Sequence, residues 1–202
     1  MTSRRRSQVL SHPGAMSGRP LELRIEDGPS PGPGEIVIEV AACGVCRTDL
    51  QLVEGDLAAR RLPIVPGHQV VGRVAALGDG VQRWSLGDRV GVAWLAGSCG
   101  ECRRCRSGDE NLCDLAEFTG WDRDGGYADT MLARADFVFP IPDAFSDIDA
   151  APLLCGGVIG YRSLKISGIR PVALRAFSRA SRQMPVSMVL ETAQPSTLRE
   201  CQ

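Results

Sequence analysis

Two sets of soft ligands stand out in the chain, and the denser one is Cys99-x2-Cys102-x2-Cys105-x7-Cys113. Each Cys-x2-Cys turn brings two sulfurs within reach of one ion, so four thiolates in one short loop suit a closed, tetrahedral structural zinc. Four thiolates around Zn2+ leave a net charge of about −2. Arg103, Arg104 and Arg106 are interleaved where they could offset it by Coulomb attraction. The competing reading is two disulfides in a secreted loop. It is disfavoured because Arg4-Arg5-Arg6 is not followed by the apolar run of about 7–15 residues that a secretory signal needs.

The second set is dispersed: Cys46, His68 and Cys155. Singly, a cysteine is most often a small buried hydrophobe and a histidine a satisfied polar group. Their contexts raise the odds, because each lies beside glycine, where backbone can approach an ion closely: Cys43-Gly44-Val45-Cys46, Gly67-His68, and Cys155-Gly156-Gly157. Three protein ligands leave a fourth position open, the catalytic arrangement for zinc.

The elements that must position these ligands read as short strands. Leu21 to Ile25 alternates at period two, Gly28 to Gly34 is too rich in Pro and Gly for helix or strand, and Glu35 to Val40 resumes as a strand. Further β-branched runs follow at Gly67 to Leu77 and Asp88 to Trp94, separated by glycine turns. Many short strands with such punctuation predict a mainly β, barrel-like domain. The chain of 202 residues, 44% of them hydrophobic, can bury a sizeable core, and 23 basic against 24 acidic residues argue against a general affinity for nucleic acid or anionic membrane. No apolar run approaches the roughly 20 residues needed to cross a bilayer.

Taken together these motifs resemble, in order, those of the zinc-dependent medium-chain alcohol dehydrogenases over roughly Val9 to Ile169. The segment Cys43-Gly-Val-Cys46-Arg47-Thr48-Asp49 is similar to the one carrying the first catalytic zinc ligand. Gly67-His68-Gln69-x2-Gly72-x5-Gly78-x2-Val81 is similar to the family's zinc signature, and Ala151-Pro-Leu-Leu-Cys155 to the segment with the third ligand. The resemblance implies a GroES-like barrel with a structural-zinc lobe and two Zn2+ ions per chain: Cys46, His68 and Cys155 for the catalytic ion, Cys99, Cys102, Cys105 and Cys113 for the structural one. It implies oxidation of a small-molecule alcohol to an aldehyde or ketone by hydride transfer to NAD or NADP. In that scheme Thr48 carries the alcohol proton, Asp49 orients His68, Arg47 contacts the cofactor pyrophosphate, and Trp94 and Trp121 wall the substrate pocket. It also implies a cytoplasmic protein, homo-oligomeric as in the family. The competing reading of Thr48 and Asp49 is a turn pair capping the following segment.

Two departures stand inside the matched region. Gln69 replaces a glutamate that often follows the zinc histidine, and Gln51 replaces a histidine that passes the proton to solvent, a task an amide cannot perform by titrating. A third lies beyond it. All 23 glycines lie at or before Gly168, and no Gly-x-Gly-x-x-Gly marks a nucleotide-binding domain, so the family's Rossmann domain is expected to be missing. The expected organisation is a solvated extension over residues 1–8, a GroES-like zinc-binding domain over 9–170, and an irregular tail over 171–202 unrelated to the family pattern, with Cys201 incidental. The alternative to a truncated dehydrogenase is a zinc-binding β module without catalysis.

Overall fold

In a computed structural model that describes residues 4–168, the strands are β1 (Arg4–Leu10), β2 (Leu21–Asp27), β3 (Glu35–Gly44), β4 (Gln69–Leu77), β5 (Arg89–Val92), β6 (Leu95–Gly97), β7 (Glu117–Phe118), β8 (Thr130–Arg134) and β9 (Val138–Pro140). Helices are short: α1 (Arg47–Glu54), α2 (Arg103–Arg106) and α3 (Asp147–Ala150), followed by a 3-10 turn over Ala151–Leu154. The first compact unit ends at Gly156. Of the second, α4 (Gly156–Ile166) is described. The irregular tail expected over 171–202 lies outside the described residues. Among the described residues no helix is long and apolar enough to cross a membrane.

The central sheet is antiparallel with strand order β8-β3-β4-β5-β9. Its inner strands are covered on both faces, so their sequences read as apolar runs rather than alternations: Ile36, Val37 and Ile38 on β3, Val70 and Val71 on β4, are all buried. Ile36, Ile38, Val70, Val74, Val90, Met131 and Val138 form the main core, closed by Trp84. The Trp84 indole donates to the Ala135 carbonyl at 2.9 Å. Trp84→Phe keeps the ring but orphans that buried carbonyl, and should lower unfolding stability by about 1–3 kcal/mol in a urea titration.

The mainly β expectation is met, and the runs expected at Glu35, Gly67 and Asp88 are β3, β4 and β5. The N-terminal expectation needs correction. Residues 4–8, read as solvated extension, belong to β1, which pairs along its whole length with β2. The strand alternates: Arg5, Ser7 and Val9 are buried while Arg4, Arg6 and Gln8 face out. Arg5 is tolerated inside because Glu26 accepts from it at 2.7 Å and Asp124 at 3.4 Å. Three consecutive arginines masked a period-two pattern.

Candidate metal centres and active site

The four-cysteine loop folds around α2. Sulfur separations are 3.8 Å for Cys99–Cys105, 3.5 Å for Cys102–Cys105 and 3.6 Å for Cys113–Cys99. A tetrahedron with Zn–S bonds of about 2.3 Å has S···S edges of about 3.8 Å. A disulfide would bring the sulfurs to about 2.05 Å. The lobe therefore has the dimensions of a tetrathiolate metal site, and its cysteines are unpaired by disulfides. Backbone N–H groups of Cys102 and Leu115 donate to Cys99 and Cys113 Sγ, each at 3.4 Å. The Glu101 and Cys102 amides draw the Cys99 thiol down to about 6. Cys102 accepts from the Cys105 amide, yet burial and its neighbouring thiols push it up to about 11. Four sulfurs this close cannot all ionise without a cation between them. Arg103, Arg104 and Arg106 are exposed on α2, where solvent screens the offset they could provide.

The dispersed set converges. Cys46 is the N-cap of α1, His68 immediately precedes β4, and Cys155 follows the 3-10 turn. That turn is held to β4 by Ala150 and Ala151 packing on Val71. Arg89 of β5 adds a tie to α3 through Asp147 at 2.7 Å. Cys46 Sγ lies 3.9 Å from Cys155 Sγ, and His68 Nε2 lies 3.4 Å from Cys155 Sγ. Two thiolates and an imidazole around zinc would give edges of about 3.8 and 3.5 Å, so both the donor set and its spacing fit that ion.

Behind the imidazole sits Asp49, 4% exposed. Its Oδ1 accepts from His68 Nδ1 at 3.0 Å and the Gly67 amide at 3.3 Å. Its Oδ2 accepts from the Cys46 amide at 2.9 Å and the Tyr127 hydroxyl at 3.0 Å. With Nδ1–H committed to the carboxylate, the Nε2 lone pair faces the sulfurs. Burial disfavours the imidazolium, but the bond to Asp49 and its charge outweigh this and hold the His68 pKa above its ordinary value. Burial and the adjacent Cys46 push Cys155 up to about 11. For Cys46, burial is outweighed by the Thr48 amide and hydroxyl and by His68, so its thiolate is favoured. Asp49 is at once the capping residue at the third position of α1 and the partner of His68, so the two readings of it coexist.

Thr48 presents its hydroxyl 3.8 Å from Cys46 Sγ. The Arg47 side chain is exposed and makes no hydrogen bond or ion pair among the described residues. Trp94 stands edge-on to His68, with ring centroids 4.9 Å apart. It stacks on Phe118 at 5.0 Å and Trp121 at 5.8 Å, and the Arg60 guanidinium caps Trp121 at 3.9 Å. The two tryptophans singled out in the sequence thus share one aromatic wall beside the histidine. Phe118, Arg60 and Tyr127 were not foreseen. The glycine pair preceding Tyr127 was the one available signal for it, since it marks a close backbone approach.

A mainly β domain with a four-thiol lobe and a Cys-His-Cys cluster defines a class of zinc-site proteins, and comparison with known proteins narrows it. The family model described as the alcohol dehydrogenase GroES-like domain matches residues 32–143. The chain is 48% identical over 167 residues to a probable alcohol dehydrogenase, AdhA, of Mycobacterium tuberculosis, covering 80% of this chain and 48% of that protein. It is 43% identical over 154 residues to an alcohol dehydrogenase of Geobacillus stearothermophilus, covering 76% and 46%. Among solved structures, the cobalt- and zinc-bound thermostable alcohol dehydrogenase of Pyrobaculum aerophilum superposes with a TM-score of 0.76 at 30% identity, over 84% of this chain and 50% of that one. The chain belongs to the zinc-dependent medium-chain alcohol dehydrogenase family. It spans about half the length of the curated relatives it matches.

Proposed function

We propose that this chain carries the zinc sites of an alcohol dehydrogenase that oxidises a small-molecule alcohol to an aldehyde or ketone with NAD or NADP as hydride acceptor. The observation that supports it most is the meeting of Cys46, His68 and Cys155, from three separate chain segments, with the Thr48 hydroxyl alongside. A zinc ion held by these three would supply Lewis-acid polarisation of an alcohol oxygen and lower the pKa of its hydroxyl.

The chain's own groups do the rest. Thr48, able to accept and donate at once, takes the alcohol proton. Gln51 cannot pass it on by titrating, so the proton leaves through water or another route. Asp49 fixes the ring plane and tautomer of His68. Trp94, Phe118 and Trp121 offer an apolar surface that orients the carbon skeleton and excludes water. Arg47, exposed and unpaired among the described residues, is available to a dinucleotide pyrophosphate. Cys99, Cys102, Cys105 and Cys113 hold a second, structural zinc. Thiols in this number fit a reducing compartment such as the cytoplasm, and homo-oligomeric assembly follows the family pattern.

Elemental analysis of the purified chain should find two zinc ions per molecule, and titration with NADH separates a dehydrogenase from a non-catalytic module for this polypeptide, which lacks the Gly-x-Gly-x-x-Gly that would place the cofactor. Metal confined to the four-thiol lobe would overturn the catalytic assignment. Two ions without NADH binding would favour a zinc-binding β module.

A further inference from the structure

Asp49 is served by four donors, two on each oxygen, and they differ in kind. The amides of Gly67 and Cys46 reach opposite oxygens, so the backbone alone orients the carboxylate. His68 Nδ1 is the group being served. The fourth donor, the Tyr127 hydroxyl, is needed neither to turn the carboxylate nor to complete the cap of α1.

Its placement is nonetheless built. Tyr127 N donates to the Pro66 carbonyl at 3.0 Å, and its own carbonyl accepts from Gln8 N at 2.8 Å, which ties the residue to β1 and to the loop before His68. Gly67 has φ +97°, and a Cβ there would lie 2.6 Å from Tyr127 Cδ1. Only glycine lets the ring lie against that loop and reach Asp49. Burial, followed by the charge of Asp49, raises the Tyr127 pKa, so the phenol keeps its proton and acts as a donor.

We propose that Tyr127 is a positioning residue for this centre: by donating to Asp49 Oδ2 it draws off carboxylate charge, and so limits how strongly Asp49 polarises His68 and how strongly Nε2 binds a metal ion. The inference deepens the dehydrogenase reading and rests on it for the identity of the ion. A hydrogen bond on one carboxylate oxygen lowers the basicity of the whole group. Without it, Asp49 pulls harder on Nδ1–H, and Nε2 becomes a stronger ligand and the bound ion a weaker Lewis acid.

The test uses the full chain loaded with zinc, or with cobalt as a spectroscopic substitute. Tyr127→Phe preserves the ring and removes the O–H alone. Release of the ion at the Cys46 centre to a chelator should slow by about threefold to tenfold, less than the roughly 10–100-fold that losing a direct partner of a metal ligand costs, because Tyr127 acts one hydrogen bond further out. The cobalt ligand-field bands should move to higher energy, while the four-thiol lobe, as reference in the same molecule, stays unchanged. The chain has two tyrosines, Tyr127 and Tyr161, so in a Tyr161→Phe background residue-wide fluorotyrosine incorporation alters Tyr127 alone. Fluorotyrosine is a stronger donor, and should shift both readouts the opposite way. If Tyr127→Phe does not fold, fluorotyrosine decides. Unchanged release and bands in both proteins would reduce Tyr127 to packing, and faster release from Tyr127→Phe would also overturn the proposal. A Cys46→Ser control that binds as much metal as the parent would instead remove the dehydrogenase reading beneath it, and the proposal with it.

Discussion

Asp49→Asn should unfold at markedly lower denaturant than the parent and should hold metal at the Cys46 centre about 10–100-fold more weakly, while the four-thiol lobe keeps its ion. The substitution is nearly isosteric, so the effect is one of proton inventory. Four donors converge on the carboxylate, at 2.9 to 3.3 Å. An amide offers one acceptor oxygen and presents two N–H groups where the other oxygen was. The least damaging orientation leaves the amide oxygen to His68 and Gly67. The NH2 can then donate to Tyr127, but it confronts the Cys46 amide. That partly buried N–H, whose bond to Asp49 is the carboxylate's share of the cap on α1, is left without a partner, at about 1–3 kcal/mol.

The negative charge behind His68 also disappears, and a neutral acceptor polarises the imidazole less. A urea titration should therefore show about 1–3 kcal/mol less stability in the metal-free state. A surface comparison sets the scale. Asp129 accepts from Arg6 at 2.9 Å, but the two side chains are 44% and 68% exposed, and Asp129→Asn should change stability by under about 1 kcal/mol. Equal losses in the two variants would mean that Asp49 is not the buried hub described above.

The same contrast explains what could be read from the chain before its structure. Cys99, Cys102, Cys105 and Cys113 were legible because their spacing is local, and two Cys-x2-Cys turns bring sulfurs together whatever surrounds them. Cys46, His68 and Cys155 are weak one at a time, since their meeting depends on α1, β4 and the 3-10 turn after α3, and no local pattern encodes that arrangement. The ordered family motifs supplied it. Asp49 could be assigned from its motif, but its four donors come from Cys46, Gly67, His68 and Tyr127, and a convergence of that kind has no sequence period. Phe118 and Arg60 were hidden for the same reason: they join Trp94 and Trp121 by stacking, across turns whose geometry side-chain types do not announce. At β1 the error ran the other way. Arg5 looked solvated because charge is ordinarily exposed, and the acids that make its burial tolerable, Glu26 and Asp124, lie far along the chain.

Gly72→Ala carries the other large expected effect, and it connects the central sheet to the metal centre. Gly72 lies in the middle of β4, paired with Val40 of β3 on one side and Val90 of β5 on the other. Beside it the β3–β4 register shifts between Val40 and Ala42, and a methyl group at Gly72 would lie 2.1 Å from the Glu39 carbonyl oxygen and 2.7 Å from Ile38 Cγ2. The first obstacle is backbone in an interior strand, so no rotamer change relieves it. The two strands would have to separate where the core residues Ile38 and Val70 are packed, at about 3 kcal/mol or more. For a domain of this size that lowers the melting temperature by roughly 6–12 °C. Gly14→Ala, with nothing within 4 Å of the added carbon, should stay within about 0.5 kcal/mol of the parent. His68 precedes β4 directly, so a shift of that strand also moves the imidazole relative to Cys46 and Cys155. Zinc release from that centre should therefore accelerate in Gly72→Ala, with the four-thiol lobe, built on its own loop, unaffected. A Gly72→Ala protein that melts with the parent would show that β3 and β4 tolerate a separation the bulge geometry forbids.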